Sequence, residues 1–161
     1  MSRKIRKEFV AEILSFDELD SSSAELVDRA KKALENAYAP YSNFFVGAAV
    51  LLDDGQIISG SNQENAAYPA GLCAERVALF HVGANYPGRK ILQIAITAKP
   101  KGADHYVEAG PCGSCRQVMV EYHNRQNHPI EILMVRPNNE VLKTTVKDLL
   151  PLAFDKGSLA Q

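Results

Sequence analysis

Val46-Gly47-Ala48-Ala49-Val50-Leu51-Leu52, then Asp53-Asp54-Gly55, then Gln56-Ile57-Ile58-Ser59-Gly60 reads as a short buried strand, a tight turn and a second strand. Asp-Gly supplies the backbone freedom that a hairpin turn needs, so a β-hairpin starts a sheet here. Upstream, Ser21-Ser22-Ser23 offers N-cap oxygens to a helix. Leu26, Val27, Ala30, Ala33, Leu34, Ala37 and Tyr38 then fall on one helical face, which Pro40 cannot continue. Downstream, Cys73, Val77, Phe80 and His81 return to helical spacing, and Ile91 to Ala98 suits a strand buried on both faces. After the polar stretch Pro100 to Pro111, a helix over Cys115 to His123 is expected, then strands over Ile130 to Arg136 and Glu140 to Val146. Such alternation predicts an α/β protein with helices packed on a mixed sheet. In the first sixteen residues Phe9, Ala11 and Ile13 alternate as in a strand, while Ile5, Phe9, Ile13 and Phe16 also suit a helix. An added strand is the preferred reading.

At 161 residues, 46% hydrophobic and 23% charged, the chain suits a single domain, residues 1–161, of which 1–20 form an N-terminal extension. Its 18 basic residues are scattered against 19 acidic ones, for a net charge of −1, so no footprint for nucleic acid is expected. The basic stretch Met1 to Phe9 lacks the apolar centre of a signal peptide, and no apolar run approaches the roughly 20 residues of a membrane span. A cytoplasmic protein without membrane contact is the expectation. Three cysteines in a reducing compartment point to metal rather than to disulfides.

Those cysteines sit in Cys73-Ala74-Glu75-Arg76 and Pro111-Cys112-Gly113-Ser114-Cys115-Arg116. Cys112 and Cys115, opening a helix after a proline, would project their sulfurs to one side, where one ion can reach both. Cys73 would open a second helix likewise, and the positive ends of both helices favour thiolate. Three thiolates leave the fourth tetrahedral position of Zn²⁺ open to water, whereas a structural site normally closes itself with a fourth ligand. Arg76 and Arg116 are placed to offset the excess negative charge by hydrogen bonds to the sulfurs. Glu75, two residues beyond Cys73, would shuttle protons without ligating the ion. A redox Cys-x-x-Cys would leave Cys73 and Glu75 unexplained. A closed structural site needs a histidine, and His81, His105, His123 and His128 show no ligand spacing to the cysteines.

With these motifs the sequence resembles the small homotetrameric, zinc-dependent cytidine deaminases, within the cytidine and deoxycytidylate deaminase superfamily. The resemblance runs from about Ala37 to Phe154. It includes Tyr41-Ser42-Asn43-Phe44 with Val46-Gly47-Ala48-Ala49, then Asn62-Gln63-Glu64-Asn65-Ala66-Ala67-Tyr68, both cysteine motifs, and Leu149-Leu150-Pro151 ahead of Phe154. It implies a three-layer α/β/α sandwich around a mixed, mostly five-stranded sheet. It also implies hydrolysis of cytidine and 2′-deoxycytidine to the uridines with release of ammonia, in pyrimidine salvage. Cys73, Cys112 and Cys115 would hold one zinc per chain, with Glu75 as general acid/base and Arg76 moderating the thiolates. Asn62 and Glu64 would grip the sugar 3′-hydroxyl, Phe44 would pack on the base, the Ala66 backbone would position it, and Tyr68 would line the pocket. Phe154 would enter a neighbouring subunit's site in a homotetramer. Met1 to Asp20 extend beyond the shortest members. Rival readings are a blasticidin S deaminase, against which Asn62–Asn65 and Arg76 argue, and a nucleic-acid-editing deaminase, against which the low basic charge argues. A zinc-stabilised binding protein is the non-enzymatic rival, and Glu75 beside an open metal position argues against it.

Overall fold

The hairpin sits at one edge of the sheet, and the rest of the chain builds outward from it. The computed structural model describes residues 2–159. Its elements are β1 (Glu12–Ser15), α1 (Ser21–Leu34), β2 (Phe44–Leu52), β3 (Ile57–Ser61) and α2 (Ala74–Asn85). They continue as β4 (Ile91–Pro100), α3 (Gly113–Arg125), β5 (Glu131–Val135), β6 (Glu140–Thr145) and the single turn α4 (Val146–Leu149). The strand order is β1-β6-β5-β4-β2-β3. Only β4 and β5 are parallel, Gln93 opposite Glu131 through Ile96 opposite Met134, and α3 supplies the crossover that a parallel pair requires. The sheet is therefore mixed, as expected, and the added strand expected of the extension brings it to six among the described residues. The addition is β1, antiparallel to β6 with Ile13 opposite Leu142. Beyond it, Thr144 Oγ1 donates to the Val10 carbonyl at 2.6 Å, and Lys7 Nζ donates to the Pro151 carbonyl.

Alternate residues of each strand face opposite layers. On one face Leu26, Val27 and Ala30 of α1 pack against Ala49, Leu51, Ala95, Leu133 and Val135. On the other, Ala78, Leu79 and Val82 of α2 and Met119 of α3 pack against Val50, Leu52, Ile94, Ile96 and Ile132. Each fully buried Leu or Ile contributes roughly 1.5–3 kcal/mol of burial free energy. Two glycines set the layer spacing. A Cβ on Gly47 would lie 2.1 Å from the Ala30 carbonyl oxygen, and one on Gly60 would lie 2.7 Å from that of Ala74. Gly60 thus lets the start of α2, where the first cysteine motif lies, settle directly onto β3.

Both ends of α1 differ from the sequence reading. The N-cap of α1 is Asp20, not one of the serines; its Oδ1 accepts from Ser22 N at 3.0 Å and Ser23 N at 2.9 Å. A carboxylate one residue earlier outcompetes hydroxyls already inside the first turn. The helix stops at Leu34 because Tyr38 leaves it to bond across to the hairpin side, its N–H donating to the Asn62 carbonyl at 2.9 Å. Among the described residues, no helix is long and apolar enough to cross a membrane.

Candidate metal centre and substrate cleft

Cys73 is the N-cap of α2 and Cys112 the N-cap of α3, with Cys115 in the first turn of α3. The Sγ atoms of Cys73 and Cys112 are 3.8 Å apart and those of Cys112 and Cys115 are 3.5 Å apart. All three lie within 4.8 Å of one another. Zn–S bonds of roughly 2.3 Å in a tetrahedron set sulfurs about 3.8 Å apart, so a trio of this size and chemistry suits a zinc ion. No other trio of His, Cys, Asp or Glu side chains converges in this way among the described residues. Cys115 is buried and Cys112 exposed, so the cluster is anchored in the core on one side and opens outward on the other.

Charge is distributed unevenly over the sulfurs. A hydrogen bond with the Cys115 thiol pulls the Cys73 thiol down to about 5, with Arg76 and Cys112 adding to the effect. Cys115 moves up, as the donor to Cys73 and by its burial. Arg76 Nη2 lies 3.8 Å from Cys73 Sγ. Arg116 behaves differently from the sequence expectation. Its Nε donates to the Pro111 carbonyl at 2.8 Å and its Nη1 to the Leu149 carbonyl at 3.1 Å. The guanidinium is thus committed to main-chain oxygens, and a bond to sulfur is not among its hydrogen bonds.

Glu75 follows Ala74 in the first turn of α2 and is only 4% exposed, yet it lines the cleft beside Cys73 and Cys112. Burial pushes its carboxyl up. The cleft measures about 700 Å³, within the range of about 300–1,000 Å³ of small-molecule sites. Its remaining walls include Phe44, Ile96, Asn62, Glu64 and Tyr68.

Asn62 and Glu64 both brace the segment that carries Phe44. Asn62 Oδ1 accepts from Val46 N at 2.9 Å and its Nδ2 donates to the Phe44 carbonyl at 2.9 Å. Glu64 Oε2 accepts from Tyr41 N at 2.9 Å and Ser42 N at 3.2 Å. The Ser42 hydroxyl, followed by those two amides, holds the Glu64 carboxyl below its ordinary value. A carboxylate and a primary amide each retain hydrogen-bonding capacity beyond these bonds, which suits both to a hydroxyl in the cleft. Tyr68 is 73% exposed at the rim, its ring 5.9 Å from that of Tyr41. Ala66 lies in an exposed bend and is not among the cleft-lining residues. Phe154 also lies outside this chain's own cleft, 59% exposed, its carbonyl accepting from Gln117 Nε2 at 2.7 Å.

The sequence reading assigned no role to Tyr41, Leu72 or Ile96, which also line the cleft. Ile96 looked like any core position of a buried strand. The amides of Tyr41 and Ser42 reach Glu64 across more than twenty positions, a contact that local spacing does not announce.

The family model for the cytidine and deoxycytidylate deaminase zinc-binding region matches residues 20–128, which contain all three cysteines and Glu75. A cytidine deaminase of Sporosarcina psychrophila is 40% identical over 136 residues, covering 84% of this chain and 93% of that protein. One from Halalkalibacterium halodurans is 42% identical over 130 residues, 80% of this chain and 91% of its own. The crystal structure of cytidine deaminase from Burkholderia pseudomallei superposes with a TM-score of 0.69 at 41% identity, covering 81% of this chain and 97% of that one. A more distant relative, the blasticidin-S deaminase of Bacillus cereus, is 25% identical over 143 residues, 86% of this chain and 96% of its own.

Proposed function

The chain belongs to the cytidine and deoxycytidylate deaminase family, and from that membership and the geometry of its cleft we propose that it hydrolyses the 4-amino group from cytidine and 2′-deoxycytidine. It is a zinc-dependent enzyme, and its products are uridine or 2′-deoxyuridine and ammonia. The observation that carries this reading is the trio of sulfurs within 4.8 Å of one another with the buried Glu75 carboxyl lining the same cleft.

Cys73, Cys112 and Cys115 would hold one zinc per chain. When bound, the ion supplies an activated water by lowering its pKa towards about 7. Glu75, its carboxyl pushed up by burial, accepts the proton of the attacking water and delivers it to N3 of the pyrimidine as the oxygen adds to C4. The same carboxyl passes the second proton to the exocyclic nitrogen, so that the C4–N bond breaks with ammonia as the leaving group. Arg76 offsets the thiolate charge, and both helix N-termini stabilise it. Phe44 packs on the base and Tyr68 lines the rim, while the side chains of Asn62 and Glu64 bind the 3′-hydroxyl and so accept either sugar. The Ala66 backbone is assigned to base positioning through the resemblance alone.

The charges in the cleft favour nucleosides over nucleotides. Its lining contains Glu64, Glu75 and a single cation, Arg76, which is committed to Cys73. A phosphate would meet two carboxylates against one guanidinium among the described residues of the lining, with Glu64 at the sugar end. Phe154, exposed and outside its own cleft, is read as reaching a neighbour's cleft in a homotetramer. Residues 1–161 are read as one deaminase domain working in the cytoplasm, where reducing conditions keep three thiols available to metal.

The test is ultraviolet-monitored turnover of cytidine, 2′-deoxycytidine, cytidine 5′-monophosphate and blasticidin S, with zinc quantified in the same sample. Turnover of both nucleosides with about one zinc per chain is expected. Preferential turnover of the monophosphate or of the antibiotic would overturn the substrate assignment.

A further inference from the structure

We infer that Arg116 is a positioning residue for the metal loop, acting through two main-chain carbonyls and not through its charge on the sulfurs. The inference rests on reading the three cysteines as a metal site. Cys112 is the exposed ligand of the three, and as an N-cap it makes no side-chain capping bond. It follows an irregular polar loop, so something must fix where that loop delivers it. Val107 N donates to the Ala98 carbonyl at 3.0 Å, which ties the loop to the end of β4. From there to Cys112 the main-chain oxygen of Pro111 has one partner, Arg116 Nε. The other end of the guanidinium reaches the carbonyl of Leu149, a residue 7% exposed within the core. Arg116 therefore rivets the residue before Cys112 to the buried end of α4. Its planar fork makes both bonds at once, which an ammonium on a flexible stem cannot do in the same geometry.

Neighbouring contacts reinforce this arrangement from outside. Gln117, next along α3, holds the Phe154 carbonyl, and Lys7 of the N-terminal arm holds that of Pro151. The segment after α4 is thus gripped on both sides, and Leu149 offers Arg116 a fixed anchor.

Charge compensation and positioning predict different behaviour for a lysine. If Arg116 served only as a positive charge, R116K would resemble the parent and R116Q would not. As a positioning residue, Arg116 should be poorly replaced by either. We expect both variants to lose zinc to a chelating dye about 10-fold faster, the lower end of the range for residues that orient metal ligands. We also expect the visible thiolate and d–d bands of the Co²⁺-loaded variants to shift, with far-UV circular dichroism unchanged. Parent-like release and spectrum in R116K would overturn the inference. A measurement on the parent chain covers the case in which the variants do not fold. Hydrogen exchange with zinc bound and after chelation should show protection lost together in residues 107–112 and 146–150. Loss confined to the first segment would overturn the coupling. Failure of the parent to bind either Zn²⁺ or Co²⁺ would overturn the proposed function itself, an outcome distinct from both.

Discussion

On the floor of the cleft every chemically active side chain is set by a helix terminus, with Cys73 and Cys112 as N-caps and Glu75 and Cys115 in first turns. On the rim, Tyr41 in a turn and Tyr68 at the start of a short 3-10 helix stand exposed, and Phe154 lies outside its own cleft. The floor is backed by two core helices on the sheet; the rim is held by pairs of hydrogen bonds to the Asn62 and Glu64 side chains and by one from Gln117. A reaction that moves protons between fixed atoms needs the first kind of support. Binding a substrate that must enter and leave tolerates the second. Substitutions on the floor should therefore lower kcat, and those on the rim should raise KM.

The largest effect should come from Glu75→Ala. Turnover should fall by at least about 10²–10⁴-fold, the usual share of general acid–base assistance, while zinc content and melting temperature hold. Near-normal turnover with zinc in place would erase the distinction between floor and rim. Glu64→Gln, on the rim, should raise KM roughly 10- to 100-fold with a smaller change in kcat. A charge-assisted hydrogen bond worth about 1.5–3 kcal/mol is weakened there. A pure kcat defect would move Glu64 to the floor.

Phe154→Ala should raise KM roughly fivefold, as about 1 kcal/mol of apolar contact is lost, and the proposed assembly predicts that the parent sediments as a tetramer. An active monomer by light scattering would contradict the role of Phe154 in a neighbour's cleft.

Asp20→Ala, remote from both regions, should leave kcat and KM unchanged and cost about 1 kcal/mol of stability at neutral pH, a few degrees in Tm. Hydrogen bonds from Ser22 and Ser23 lower the Asp20 carboxyl to about 2 from its ordinary 3.8. Its stabilisation is present above about pH 4 and is lost as the pH falls through 2. The difference between parent and variant in acid melts should close over that window. A constant difference down to pH 2 would show that the carboxylate charge is not what caps α1.

Much of the floor was legible because its information is local. The spacing of Cys112 and Cys115, a preceding proline and a carboxylate two residues after Cys73 each report on a single helix start. The central strands were legible for the same reason, since continuous apolar runs such as Ile91 to Ala98 have few other solutions. What escaped the sequence reading depends on contacts between distant residues. Apolar spacing continues to Tyr38 although the helix ends at Leu34, because a bond to Asn62 ends it. Arg116 sits beside a ligand, yet its second partner, Leu149, is 33 residues away. Asn62 and Glu64 spend much of their hydrogen-bonding capacity on residues 41–46, a contact formed only once the hairpin has folded back. The ambiguous first residues gave β1 only at Glu12–Ser15, where β6 offers a free edge to pair with.

Stepwise addition of Zn²⁺ to chelator-stripped protein, with cytidine turnover read at each addition, tests the central claim most directly. Turnover should rise in proportion to bound zinc and reach its plateau at one ion per chain. Turnover that is insensitive to zinc, or zinc bound at one per chain without turnover of cytidine, would contradict it.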